Sequence, residues 1–132
     1  MQTNGRHLLC ELSGCNPNLI GDVDFARRTL FEAANNAGAE VMEMAFHRFF
    51  PQGVSGVVVI AESHLSIHSW PECGYAALDI YTCGDHTSPE RALEYCSKAF
   101  EASGMKLSCI ERGLPGNSGD FTHVLKEPIA AV

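Results

Sequence analysis

Val54-Ser55-Gly56-Val57-Val58-Val59-Ile60-Ala61 runs without a charged residue into Glu62-Ser63-His64-Leu65-Ser66-Ile67-His68-Ser69-Trp70-Pro71-Glu72. The first part is rich in β-branched residues and reads as a buried strand. Beyond Glu62 and Ser63, Leu65 and Ile67 alternate with His64, Ser66 and His68, the period of a second strand. Cys83 follows at the end of a further apolar stretch. A hydroxyl nucleophile, imidazoles, carboxylates and a thiol are thus expected at the ends of adjacent strands. A structural hairpin needs none of them.

Outward from this hairpin, Arg6–Ser13 alternates as a strand, and Gly14-Cys15-Asn16-Pro17-Asn18 breaks it. Asp22 or Asp24 can cap a helix whose apolar positions Ala26, Leu30, Ala33 or Ala34, and Ala37 follow helical spacing up to Gly38. Glu40–Phe50 reads as a strand, Pro51-Gln52-Gly53 as a turn, and Gly74–Cys83 as the strand after Pro71. Thr87-Ser88-Pro89-Glu90 resembles a helix start with a hydroxyl cap, and Ser103-Gly104 stops that helix. Met105–Arg112 is the last expected strand, and everything from Gly113 onward reads as loop. The order β-α-β-β-β-β-α-β predicts an α+β fold, an antiparallel sheet with two helices on one face. The strand Val54–Ala61 is apolar or small on both faces, so its second face is expected to meet another copy of the chain. A homodimer follows.

The 132 residues amount to one domain. A net charge of -7 excludes a nucleic-acid partner, because nothing basic is available to neutralise phosphates. No apolar stretch reaches membrane-spanning length and no signal-peptide pattern is present, so a cytoplasmic location is expected. The six cysteines contain no C-x-x-C pair and sit mostly in apolar patterns, which reads as reduced core thiols rather than a disulfide framework.

The chemistry narrows by elimination. His64 and His68 lie four apart, but on a strand that is about 13 Å, too far to share a metal ion. The nucleophile elbow G-x-S-x-G of serine hydrolases is absent. Cys83 and His68 remain open as a thiol nucleophile and its base. The only lysines, Lys98, Lys106 and Lys126, fall outside the rich segment, which excludes a pyridoxal phosphate or lysine Schiff-base site there. Any carbonyl used on an amine must then come from the chain itself. A serine at a tight strand junction can supply it, by attacking the preceding carbonyl and converting the amide to an ester that eliminates.

The segment Phe46–Gly84, together with Gly5-Arg6-His7-Leu8 and Glu111-Arg112-Gly113, resembles prokaryotic S-adenosylmethionine decarboxylase, a self-cleaving pyruvoyl enzyme of polyamine synthesis. The specific core of the likeness is Glu62-Ser63-His64-Leu65, Ile67-His68, Trp70-Pro71-Glu72 and Thr82-Cys83-Gly84. The resemblance implies cleavage between Glu62 and Ser63 into a β chain of residues 1–62 and an α chain of residues 63–132. It implies that Ser63 becomes the pyruvoyl group to which substrate binds as a Schiff base, that Ser55 and His68 assist processing, and that Cys83 is the proton donor. Phe49 is implied to stack on adenine and Glu72 to bind the ribose hydroxyls, with Leu65 and Trp70 completing the substrate pocket. No metal is implied. The implied fold is a two-layer protomer that dimerises into an αββα sandwich with sites at the interface. Aromatic faces at Phe49, Phe50 and Trp70 suit a sulfonium cation.

Other side chains carry plainer expectations. His7, His47 and His64 are expected to be structural, and Asp79 to pair with Arg48 or Arg6. Cys73 stands beside Glu72 where many members of the resembled family have tyrosine. An L-arginine or L-ornithine decarboxylase on the same scaffold therefore remains an alternative. A catalytically dead binding subunit is a third reading, against which the intact Ser63, His68 and Cys83 argue.

Overall fold

Leu8, Cys10 and Leu12 are fully buried while the residues between them are not, so the first strand gives one face to a core as its alternation dictates. The computed structural model describes residues 2–83 and 86–126. Its strands are β1 (Gly5–Ser13), β2 (Val41–Arg48), β3 (Val54–Ile60), β4 (Ser63–Trp70), β5 (Tyr75–Cys83), β6 (Gly104–Pro115) and β7 (Phe121–Leu125). They form one antiparallel sheet in the order β2-β3-β4-β5-β1-β6-β7. Helices α1 (Pro17–Ile20), α2 (Val23–Asn36) and α3 (Pro89–Ala99) lie on one face. There Ala26, Leu30, Ala33, Leu93 and Cys96 meet Leu8, Val58, Leu65, Ile67 and Ile80. The α+β layer stands as expected.

Local chemistry explains the element ends. Asp22, rather than Asp24, caps α2, its carboxylate accepting the N–H groups of Asp24 and Phe25 at 3.0 and 3.1 Å. Gly38 follows that helix at φ +80°. The hydroxyl cap expected for α3 is absent: Ser88 makes no side-chain cap bond, and Pro89 opens the helix by its fixed φ. The single glycine in the β-branched run also has a cause. A Cβ at Gly56 would sit 2.0 Å from Phe46 Cδ2, so the bare backbone leaves room for that ring.

Two features depart from the sequence expectation. Asn16 accepts from the N–H of Asn18 and starts the one-turn helix α1 where only a break was expected. The segment after Gly113 is not all loop, because β6 continues to Pro115 and the turn closes through Gly116 N–H to Asp120 O at 2.8 Å. That hairpin adds β7 at the sheet edge, paired with β6. Residues 127–132 of the expected loop lie outside the described residues. No helix among the described residues is long and apolar enough to cross a membrane.

Ser69 ties three elements together. Its hydroxyl donates to Ile20 O at 2.7 Å and accepts the Val54 N–H at 3.0 Å, in a buried setting. Ser69→Ala strands both backbone groups without water. Denaturant unfolding is expected to show a loss of about 1–3 kcal/mol at an unchanged slope.

Candidate active site

The junction between β3 and β4 is held at several points. Ala61 N–H donates to Glu40 O at 2.8 Å, and Cys83 N–H donates to Glu62 O at 3.2 Å. The Glu62 carboxylate accepts the Glu40 N–H at 3.4 Å and also pairs with His86. Burial opposes the charge on Glu62, yet the bonds from His86 and the Glu40 N–H hold its carboxyl below the usual range. Ser63 itself adopts φ +156°, a region that side chains avoid, at a cost of about 1–3 kcal/mol. The chain is strained beside the peptide bond whose carbonyl already receives the Cys83 amide.

Cys83 sits at this same end. Ser63 is opposite Thr82 in the register, and Cys83 is opposite Gly5. A Cβ at Gly5 would come 3.0 Å from both Cys83 Sγ and Tyr81 Cε1. The absent side chain therefore leaves the thiol its space on the uncovered face of the sheet.

The remaining expected residues gather at the opposite end of the hairpin. Ser55 and His68 face each other across β3 and β4, Oγ to Nδ1 at 2.8 Å. They line a cavity of about 340 Å³ with Phe49, Trp70 and Glu72. Trp70 is stacked on Tyr75, ring centroids 5.1 Å apart. Phe50 does not join them; it is 87% exposed, with the Arg48 guanidinium over its ring. Leu65 does not line this cavity: its parity on β4 turns its side chain into the core, where it is completely buried. Cys73 is exposed and does not line the cavity.

Ser63 and His68 are five residues apart on one extended strand, about 16 Å. One chain therefore holds two half-sites, Ser63 with Cys83 and Ser55 with His68 and the cavity.

A further cluster was not foreseen. On the uncovered face, His7 Nε2 and His64 Nε2 lie 2.6 and 2.9 Å from the same oxygen, Asp79 Oδ2. Ser66 donates its hydroxyl to the other oxygen of Asp79. Burial works against the Asp79 charge, but the bonds from Ser66, His7 and His64 outweigh it and hold the carboxyl below its usual range. The expected pairing of Asp79 with Arg6 or Arg48 is thus overturned; Arg6 instead pairs with Glu90 of α3 at 2.7 Å. The signal was there in part, since His64, Ser66, Asp79, Tyr81 and His7 all have the strand parity opposite to the core. Only the register of β1 against β5 brings them together.

The family model described as S-adenosylmethionine decarboxylase matches residues 6–113. The chain belongs to the S-adenosylmethionine decarboxylase family. An S-adenosylmethionine decarboxylase proenzyme of Pyrococcus horikoshii is 47% identical over 125 residues, 95% of this chain and 90% of that protein. One from Syntrophomonas wolfei is 54% identical over 114 residues, 86% of this chain and 90% of that protein. The crystal structure of the Aquifex aeolicus adenosylmethionine decarboxylase superposes with TM-score 0.80 at 34% identity, covering 91% of this chain and 99% of that one. Both half-sites and the Asp79 cluster fall inside the decarboxylase match, whereas β7 lies beyond it.

Proposed function

We propose that the chain cuts itself between Glu62 and Ser63 and then decarboxylates S-adenosylmethionine, as a dimer, for polyamine biosynthesis. The observation that carries this reading is the strained Ser63 beside a Glu62 carbonyl that accepts the Cys83 amide. Attack by Ser63 Oγ on that carbonyl carbon puts negative charge on Glu62 O, where the Cys83 N–H already points. Breaking the C–N bond leaves an ester and a free amine on residue 63. Loss of the residue 63 α-proton then expels the Glu62 carboxylate, and addition of water with release of ammonia leaves a pyruvoyl group on the new α chain.

Residues at the junction fit that group, since Gly5 keeps space beside Cys83 and the hairpin segment carries no lysine. Its carbonyl supplies the electron sink for loss of carbon dioxide. The Cys83 thiol is the acid placed to deliver a proton on the uncovered face.

The 16 Å gap within one hairpin supports the dimer. A twofold axis between two sheets, lying across their strands, sets the Ser63 end of each chain against the opposite end of its neighbour. His68 of the partner subunit then serves as the base for the residue 63 α-proton, and Phe49 and Glu72 of the partner subunit face the substrate. Val59, Phe49 and Trp70, each more than 40% exposed on this face or at its rim, are the apolar surface such packing would cover.

Substrate choice rests on Phe49 and Glu72 lining one cavity, an aromatic face for adenine beside an acceptor for two ribose hydroxyls. Arginine and ornithine offer neither group. Carbon dioxide release from S-adenosylmethionine, arginine and ornithine, measured in parallel, is expected to favour the first. Glu72→Gln should lower its turnover about ten- to a hundredfold while self-cleavage continues. A wild-type preference for arginine or ornithine would remove the adenosyl assignment and leave the self-cleavage.

A further inference from the structure

The Asp79 cluster has no part in the self-cleavage route, yet its hydrogen bonds assign a distinct state to each histidine. Arg112 Nη1 lies 3.3 Å from His7 Nδ1, and an arginine can only donate. Nδ1 of His7 must accept, so its ring proton sits on Nε2 and is given to Asp79. His7 is thereby fixed as one neutral tautomer. A cation at His7 Nε2 would need the lone pair there and would push the proton to Nδ1, against Arg112. Although His7, His64 and Asp79 bring ligand-type atoms within 4.8 Å of one another, the arrangement is a proton network rather than a metal site.

His64 differs. Its Nε2 also donates to Asp79 Oδ2, but its Nδ1 has no partner among the described residues. It can take up a proton without losing a contact, and the imidazolium would face an ionised carboxylate. His64 directly follows Ser63 and is opposite Tyr81, two residues from Cys83 on the same face. Such a diagonal separation is about 7–8 Å, within reach through one water. Tyr81 Cε1 and Cys83 Sγ each approach the Gly5 position to 3.0 Å, so the ring beside the cluster also walls the thiol. Arg112 lies over that ring, 4.8 Å from its centre.

Resting on the decarboxylase reading above, we propose that His64 is a catalytic acid–base residue of this site and that Asp79, with His7, Ser66 and Arg112, positions it. His64 Nδ1 takes a proton from the substrate's ammonium as that N–H bond breaks. The imidazolium returns the proton to the Cys83 sulfur after the thiol has given its own away. Asp79 keeps its charge throughout.

The test combines imidazole 15N NMR with turnover by the self-cleaved enzyme. In the wild type, His7 should show a protonated Nε2 and a bare Nδ1. Arg112→Gln, a change at an exposed side chain, should abolish that single-tautomer signature without unfolding the protein. His64→Gln keeps a donor for Asp79 but cannot carry a proton, so kcat should fall about a hundredfold. His64→Ala should regain turnover on addition of free imidazole, which a merely structural role would not allow. His64→Gln at wild-type kcat, or His7 with its proton on Nδ1, overturns the proposal. A wild-type enzyme that releases no carbon dioxide overturns the decarboxylase reading and this proposal with it.

Discussion

Ser63→Ala is expected to stay one uncut chain without decarboxylase activity, a loss on the order of 10⁴-fold or more in the rate of cutting. The change removes the attacking oxygen and so also removes the only source of the carbonyl. It leaves the backbone strain in place, because alanine tolerates φ +156° no better than serine. Ser63→Gly should be equally uncut and, by relieving that strain, more stable than Ser63→Ala by about 1–2 kcal/mol. Gel analysis and thermal unfolding of the two variants separate the roles of the hydroxyl and of the backbone. Cleavage of Ser63→Ala at the wild-type rate would mean that another nucleophile cuts the chain.

Cys83→Ala is expected to cut itself but to decarboxylate poorly, by about 10²–10⁴-fold. The two functions of this residue reside in different atoms. Its backbone N–H, 3.2 Å from Glu62 O, survives the substitution, whereas its thiol does not. Without the thiol, protonation at the wrong carbon becomes competitive. Intact-mass measurement should then show α chains that begin with alanine in place of the pyruvoyl group accumulating with turnover. A Cys83→Ala enzyme that turns over at the wild-type rate would assign the proton to another acid.

The sequence made the hairpin legible because its signals agree. The run Val54–Ile60 has β-branched residues, the segment beyond Ser63 alternates cleanly, and Pro71 ends it. The alternation also placed His64 and His68 on a strand, and both lie on β4. What it missed follows from what local pattern lacks. β7 is a five-residue edge strand, fully exposed, whose Phe121-Thr122-His123-Val124-Leu125 has no buried face to mark it. The Asp79 cluster depends on β1 inserting between β5 and β6, a long-range pairing that periodicity does not report. Leu65 was placed in the substrate pocket by resemblance, although its parity with Ile67 already pointed it into the core. The split of the site into two ends was readable as arithmetic, five residues of extended chain between Ser63 and His68.

The central claim, that the chain makes its own carbonyl at residue 63, is tested most directly by the intact mass of the purified wild-type protein, prepared without protease. The expected result is two fragments, residues 1–62 and residues 63–132, the second lighter by one ammonia than a serine-started chain and closed to Edman degradation. A single mass for the uncut chain, or a second fragment beginning with an intact, sequenceable serine, would contradict it.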